Sequence, residues 1–196
     1  MFNKSITAVA GAGSDVVADF LFDRGATKVI VDNGGDIALR LKAGEAARVG
    51  LKTDIEAENP AYVIPIDAEM RVGGVATSGL GGRSLTKGIA SAATVLAEDA
   101  CLADAAATVL GNFTNVEDRR IGRALAQSLY PETDIAGEWV TVQVGALPPE
   151  RVEEALQNGL RKARALLEKE LIKGALISVK GRVAWTRFLD SRIQAL

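Results

Sequence analysis

The chain has 196 residues and a formal net charge of −2, which fits one domain over residues 1–196 and offers no basic surface to a nucleic acid. It has no histidine, so Ser-His and Cys-His catalysis are excluded and a bound metal must take oxygen ligands, which favours Mg²⁺. Its one cysteine, Cys101, excludes an internal disulfide and fits a reducing compartment.

Nothing in the sequence predicts a membrane segment, because no apolar run reaches the roughly 20 residues that a membrane helix requires. Lys4 and the apolar stretch 6–13 resemble a short, weak signal peptide, but an amphipathic helix pattern follows directly. We therefore expect a cytoplasmic protein without membrane contact.

The first predicted element is an amphipathic helix over 15–24, which Gly25 ends. Its charged side chains lie opposite an apolar stripe, which consists of Val16, Val17, Phe20 and Leu21. Short β-branched or alternating runs then predict strands at 28–31, 37–41, 46–52, 61–67, 71–76 and 89–96. Pro60 and Pro65 indicate an edge or irregular strand.

The second half of the chain is richer in helix. Helices are predicted at 99–113 and 116–130, and a long one from Pro148 to about Leu171, with a strand at 139–144 and a hairpin over 174–187. Consecutive strands mixed with helices indicate an α+β or mixed α/β fold. The apolar stripe of the long helix either covers the domain's own sheet, the commoner arrangement, or packs against a second copy in a homodimer.

The segment 101–110 of the predicted helix is apolar apart from Asp104 and Thr108, which project from one face because they are four positions apart. A carboxylate in such a helix is costly to bury unless it is paired or bound to a metal. Either the two residues are Mg²⁺ ligands, or Asp104 accepts a bond from a backbone amide and Thr108 bonds its own helix.

Three further segments could contact a ligand, and each has an ordinary structural explanation. The turn Asn33-Gly34-Gly35-Asp36 suits close approach to a ribose or base, or a plain hairpin. Residues 77–87 combine glycines, hydroxyls and cations that suit a phosphate, or form a mobile surface loop; those singled out are Thr77, Ser78, Gly79, Arg83 and Ser84. Gly11 to Asp15 open the first helix and suit an anion, or simply cap it.

Together these segments resemble the ApbE family, the FAD:protein FMN transferases. The residues that carry the resemblance are 11–15, then Asp-Asn-Gly-Gly-Asp at 32–36, Ala-Thr-Ser-Gly at 76–79 and Ala-Asp-Ala-Ala-Ala-Thr at 103–108. The resemblance covers roughly the first 115 residues.

The resemblance implies sheet layers with packed helices around a flavin-binding cleft. Asp104, Thr108 and a backbone carbonyl near Val9 match the family's Mg²⁺ ligands. Residues that match its flavin-nucleotide contacts are Gly34, Gly35, Asp36, Thr77 and Ser78.

The departures from the family concern chemistry. The family's His-x-x-Asp-Pro-x-Thr-Gly segment is replaced in this chain by Gly-Arg-Ser-Leu-Thr-Lys-Gly at 82–88. The lysine that the family usually carries before the helix-start glycine is replaced by Ala10. Most of the family's N-terminal region is absent from this sequence, which resembles a shorter branch of the family.

Two functions follow as hypotheses. The first is a Mg²⁺-dependent site for FAD or FMN that cleaves the FAD pyrophosphate or transfers FMN to water or a protein acceptor, with Asp104 and Arg83 as catalytic residues. The alternative is a non-enzymatic nucleotide-binding or accessory protein in anaerobic sulfur or cofactor metabolism. Cys101, on the same helix face as Asp104, is either functional or a small core residue.

Overall fold

The computed structural model describes residues 8–196, so Lys4 and the first two residues of the signal-like stretch 6–13 lie outside the described residues. The helices are α1 (Val9–Asp23), α2 (Ala100–Phe113), α3 (Ala126–Leu129) and α4 (Pro149–Leu167). The strands are β1 (Lys28–Asp32), β2 (Ile37–Leu41), β3 (Ala46–Leu51), β4 (Tyr62–Asp67), β5 (Gly74–Ser78), β6 (Ala92–Ala97), β7 (Ile121–Leu125), β8 (Trp139–Val144), β9 (Gly174–Val179), β10 (Arg182–Trp185) and β11 (Gln194–Ala195). The α+β prediction is confirmed.

The fold is organised around a six-stranded sheet of order β1-β2-β5-β6-β9-β10, in which every neighbouring pair is antiparallel. Every residue of β6 and β9 is buried, because both faces of these central strands are covered. Helices α1, α2 and α4 cover one face, and the three-stranded sheet β11-β4-β3 covers the other.

The alternation of side chains along the central strands separates two apolar cores. On β6, Val95 points to the helices and Leu96 to the smaller sheet, and on β5 Ala76 and Val75 divide in the same way. Helix α4 buries its stripe in the helical core, where Gly159 approaches Ile177 of β9 so closely that a Cβ would lie 2.7 Å from that side chain. The stripe therefore covers the chain's own sheet.

Helix α1 is oriented differently from the sequence expectation. It begins at Val9, six residues before the predicted start, so Gly11 to Asp15 lie within the helix and not before it. Its buried residues are the small ones, Gly11, Ser14 and Ala18. The apolar stripe faces outward, with exposures of 69% at Val16, 47% at Val17, 53% at Phe20 and 44% at Leu21.

The reason for this orientation is the close contact between α1 and α2. A Cβ at Gly11 would lie 2.3 Å from the carbonyl oxygen of Ala100, so only a hydrogen at this position lets the two helices approach. Bulky side chains would hold the helices apart. The small residues therefore determine which face is buried, against the apolar periodicity.

The predicted helix at 116–130 is wrong. Residues 121–125 form β7, which pairs with β8, and only the four residues of α3 are helical. The Arg123 guanidinium donates to the Asn115 side chain and to the Val116 carbonyl oxygen, which anchors this strand. Partners distant in sequence thus outweigh local helical spacing.

The other boundaries shift by a few residues. Strand β5 begins at Gly74 and includes Thr77 and Ser78, so the glycine loop is shorter than predicted. Strand β4 carries Pro65, which pairs with Arg48 of β3 but lies beyond the two residues of β4 that pair with β11. β4 lies between β11 and β3 and is not an edge strand of this sheet, but among the described residues its other side has no ladder partner at the proline, where the missing amide hydrogen is tolerated.

Candidate functional site

Two adjoining cavities, of about 880 and 630 Å³, form one cleft beside the carboxyl end of β5 and the exposed face of α2. Both are lined by the same five residues: Asp36, Arg83, Ser84, Asp104 and Thr108. The first cavity also contains Val9 and Asn33, and the second Gly34, Gly35, Thr77, Ser78 and Gly79. Segments separated by up to about a hundred residues in sequence thus meet at one place.

Asp104 lies in the second turn of α2, whose N-terminus is capped by Asp99. One of its carboxylate oxygens accepts a hydrogen bond from the Gly11 amide at 3.0 Å. The ordinary structural explanation requires that Thr108 bonds its own helix. Its hydroxyl does not do so and has no hydrogen-bond partner among residues 8–196. It lines both cavities, free to bind a ligand.

Asp36 ends the turn between β1 and β2, where Gly34 and Gly35 have φ of 68° and 104° and so need glycine. The turn is fixed by two bonds: the Gly35 amide donates to Asp32, and Ser14 of α1 donates through its hydroxyl to the Asp36 carbonyl oxygen. These bonds leave the Asp36 carboxylate facing the cleft that it lines.

Arg83 lies across this turn. Its guanidinium donates to the carbonyl oxygens of Asn33 at 2.7 Å and Gly34 at 3.4 Å, and lies 4.0 Å from the Asp36 carboxylate. A Cβ at Gly34 would meet it at 2.4 Å, so this glycine also makes room for the cation. The Arg83 side chain remains 69% exposed, which leaves donors for a ligand.

The two carboxyl groups of the cleft, Asp36 and Asp104, both have a pKa above the ordinary value. Burial, then the charge of Asp104, raises the pKa of Asp36 to about 6, while Arg83 opposes this shift. Burial also raises the pKa of Asp104, against the Gly11 amide and Arg83. A cation between the two acids would relieve this electrostatic cost.

The donor set suits a hard cation only if the ligand supplies part of the coordination. Among the residues that the structure describes there is no group of three or more acidic or cysteine side chains that could hold a metal. Asp104, the free Thr108 hydroxyl and a carbonyl of the first turn of α1 leave at least half of an octahedral Mg²⁺ shell to water or phosphate. The donors are all oxygen, as Mg²⁺ prefers.

The same cleft also offers hydrogen-bond donors. The backbone amides of Gly34, Arg83 and Ser84 have no acceptor within the described part of the chain, and all three residues line the cleft. Exposed amides next to a guanidinium form a site for phosphate oxygens. The cleft therefore contains both oxygen ligands for a metal cation and hydrogen-bond donors for phosphate oxygens, and together they can hold a metal–phosphate group.

The remaining residues of the glycine segment have structural contacts. The Thr77 and Thr94 hydroxyls are 2.8 Å apart across β5 and β6, and a Cβ at Gly79 would lie 3.0 Å from the Ala90 carbonyl oxygen. Ser78 lies against Gly111 of α2. All three residues line the second cavity, and Ser78 also contacts α2.

Gly11 and Asp15 serve the contact between α1 and α2. The Asp15 carboxylate accepts from the amides of Ala100 at 3.0 Å and Cys101 at 2.8 Å, and pairs with Arg40 at 3.0 Å. It therefore caps α2, and the anion site expected at a helix start does not form there, because α1 already begins at Val9. The amide of Gly11 reaches the cleft indirectly, through Asp104.

Cys101 is in the first turn of α2 and is partly exposed. Burial, with the charges of Asp99 and Asp15, raises the pKa of its thiol. The thiol is therefore protonated at neutral pH, which is the opposite of a reactive cysteine. Its environment favours the core-residue interpretation.

One wall of the first cavity is not anticipated from the sequence. It is the segment 130–135, which includes Tyr130 and Glu132 and follows α3. Because 116–130 was predicted to be a helix, this segment was not recognised as part of a cavity. The cluster Pro-Glu-Thr-Asp at 131–134 is the turn signal that could have revealed it.

Comparison with known proteins gives the family. The model of the family described as "AbpE bacteria" matches residues 4–185, and the chain belongs to this family. Several relatives are named "UPF0280 protein". The one from Methanoregula boonei is 33% identical over 157 residues, 77% of this chain and 65% of its own length, and the one from Methanococcus vannielii is 35% identical over 161 residues, 73% and 60%.

A third relative, from Methanosarcina acetivorans, is 40% identical over 114 residues, which is 57% of this chain and 43% of the relative. The chain thus spans about half to two thirds of the length of the curated relatives it matches. In the described part of the chain, none of the helices has the length and apolar content to cross a membrane.

Proposed function

We propose that the cleft binds a flavin nucleotide, FAD or FMN, together with Mg²⁺, in a cytoplasmic protein. The observation that carries the proposal is that one cleft is lined by two complementary groups: the Asp104 carboxylate with the free Thr108 hydroxyl, and the Arg83 guanidinium beside unpaired amides. A nucleotide pyrophosphate with its metal has the matching charges.

Three of the four segments that resemble the ApbE transferases, 32–36, 76–79 and 103–108, contribute lining residues to the cleft, and this supports flavin as the nucleotide. In this proposal Asp104, Thr108 and a first-turn carbonyl, that of Val9, hold the metal. Asn33, Gly34, Gly35 and Asp36 face the nucleotide, and Ser84 and Arg83 bind its phosphates.

The catalytic part of the proposal assigns roles to two residues. Bound Mg²⁺ would supply Lewis-acid stabilisation of the FAD pyrophosphate during cleavage or FMN transfer. Arg83 binds the negative charge that builds on the phosphate, and Asp104 holds the metal in place. The acceptor is water or a hydroxyl of a protein partner.

The absence of histidine and of an Asp-Pro segment supports a second candidate, a non-enzymatic nucleotide-binding or accessory protein.

For the enzyme candidate, Asp36 is the cleft residue whose pKa, about 6, would suit a general base. The two candidates differ in one readout, which is release of FMN and AMP from FAD.

The experiment is a thermal-shift titration of the purified chain with FAD, FMN and ADP, each with and without Mg²⁺. We expect a Mg²⁺-dependent stabilisation by FAD, of about 2.7 kcal/mol at a hundred times Kd. Asp104→Asn and Thr108→Val should abolish or weaken the Mg²⁺-dependent part. No stabilisation by any of the three nucleotides would refute the flavin proposal.

A matched control is Asp99→Asn, which changes the same charge on the same helix at its cap and not in the cleft. It should lower basal stability by less than about 1 kcal/mol, because asparagine caps a helix about as well as aspartate and only the charge at the helix start is lost, and it should keep the Mg²⁺-dependent shift. Raising the pH from 5 to 8 should strengthen the shift, because protons compete with the metal for the Asp104 carboxylate, whose pKa burial raises. FMN and AMP release by the wild type but not by Arg83→Gln supports the enzyme; binding without release supports the binding protein.

A further inference from the structure

A third cavity, of about 770 Å³, lies between α2 and α4 and shares no lining residue with the cleft. We call it the α2–α4 groove and define it by Lys87, Asn112, Phe113, Asn158, Arg161 and Lys162. Its volume is within the range of small-molecule sites, about 300–1,000 Å³.

The charge of this groove is opposite to that of the whole chain. Three cations line it and none of its lining residues is acidic, although the net charge of the protein is −2. Lys87 is paired with Glu138 at 2.8 Å. Arg161 and Lys162 have no carboxylate partner in the described part of the chain, so two positive charges remain for a ligand.

Side-chain amides connect the walls of the groove. The Asn112 side-chain oxygen accepts from the Lys87 amide at 2.8 Å, which fixes the loop after Arg83 against α2. The Asn158 amide donates to the Asn115 carbonyl oxygen at 3.0 Å, which fixes α4 against the end of α2. The two cations are thus carried by a helix that is fixed in place.

The free hydrogen-bonding groups of the groove are donors. The NH₂ groups of Asn112 and Asn115 have no acceptor among residues 8–196, and Arg161 uses one nitrogen on Asn158 and has others to donate. The Lys162 ammonium lies 4.5 Å from the centre of the Phe113 ring, which is 49% exposed. The complement of such a surface is a compact polyanion with several acceptor oxygens.

We propose that the α2–α4 groove is a second binding site, separate from the flavin cleft, for a small molecule that carries a diphosphate or longer phosphate chain. This inference does not depend on the flavin proposal. Arg161, Lys162 and the asparagine amides bind the phosphate oxygens, and no metal is required.

The test is calorimetric titration of the whole chain with inorganic pyrophosphate in EDTA, which removes any Mg²⁺-dependent binding in the cleft. Arg161→Gln/Lys162→Gln should weaken binding by at least about tenfold. The control Arg164→Gln/Lys169→Gln removes two exposed cations at and just beyond the end of α4, outside the groove, and should leave the affinity unchanged.

Three results would overturn the proposal: no pyrophosphate binding by the wild type, equal weakening by both double variants, or citrate binding as tightly as pyrophosphate. The last would assign the groove to polycarboxylates. An independent readout uses the wild type alone, since pyrophosphate should protect Lys162 from amine acetylation, measured by mass spectrometry, while Lys169 stays reactive. Equal labelling of the two lysines with and without pyrophosphate contradicts the site.

Discussion

At Asp36, burial and the neighbouring carboxylate act in the same direction. Both disfavour the charged form, and the exposed Arg83 only partly offsets them, so the pKa rises from 3.8 to about 6. Because the folded pKa exceeds the unfolded one, the folded protein binds the proton more tightly. The contribution of this residue to stability is full below pH 4 and is lost as the pH rises through 6.

The variant Asp36→Asn should therefore be more stable than the wild type at pH 8, by about 1 kcal/mol after allowance for solvent screening, and no more stable at pH 4. Urea unfolding in EDTA at both pH values measures the difference. Asp23→Asn, at an exposed position of α1, changes the same charge and should give no pH-dependent gain. An equal gain in both variants would assign the effect to net charge.

Gly11 and Gly13 are two residues apart in α1 and meet different surroundings. A Cβ at Gly11 would lie 2.3 Å from the Ala100 carbonyl oxygen and 2.9 Å from the Cβ of Asp104, whereas nothing lies within 4 Å of one at Gly13. We expect Gly11→Ala to cost about 2–3 kcal/mol by forcing two helices apart. Gly13→Ala should stabilise by about 0.5–1 kcal/mol through helix propensity. Denaturant midpoints of the two variants test this, and a stabilising Gly11→Ala would contradict the close contact.

At the scale of the element, α1 is held by polar capping as well as by small residues. Asp15 accepts two amides at the start of α2 and pairs with Arg40; the side chains of both are less than 20% exposed. One carboxylate thus connects α1, β2 and α2. This connection and the Gly11 contact together fix where Asp104 lies relative to the turn of Asp36.

We expect Asp15→Ala to cost about 2–4 kcal/mol, because it removes a cap and leaves Arg40 half-paired. Asp19 also pairs with Arg40 but its side chain is 55% exposed, so Asp19→Ala should cost less than about 1 kcal/mol. Thermal unfolding at pH 7 measures both. Similar losses in the two variants would show that the ion pair, not the cap, is what matters.

At the scale of the molecule, the central sheet serves both cores. Neighbouring residues of one strand, Val95 and Leu96, enter different cores, so neither core can be lost without exposing the other face of the same strand. The small β7–β8 sheet contributes Ile121 and Val144 to the helical core. Residues 8–196 should therefore unfold as one unit.

The two tryptophans allow a test of this cooperativity. Trp139 lies at the start of β8 and is 57% exposed, and Trp185 packs edge-on against Tyr62 near the core under the smaller sheet. In Trp139→Phe and Trp185→Phe, fluorescence reports one region at a time. Urea midpoints from fluorescence and from far-UV circular dichroism should coincide within each variant. Separate transitions would mean that the β7–β8 hairpin unfolds independently.

Much of the site was predictable because its residues are constrained locally. The Asn-Gly-Gly-Asp turn needs glycine for positive φ, and a carboxylate such as Asp104 within an alanine-rich helix requires a partner wherever that helix lies. These demands are visible in a few consecutive residues. The cavity wall at 130–135 and the role of Asp15 were not visible, because each depends on which distant segment lies opposite.

The sequence by itself determined the α+β class, most strands, the helices α2 and α4 and the residues that line much of the cleft, since periodicity and turn chemistry act over short distances. Only the tertiary structure decided the orientation of α1 and the change of 121–125 from predicted helix to strand. Those outcomes depend on the Ala100 carbonyl oxygen against Gly11 and on the pairing of β7 with β8. Contacts between distant residues can outweigh local propensity, because burial and backbone pairing contribute more free energy than propensity does.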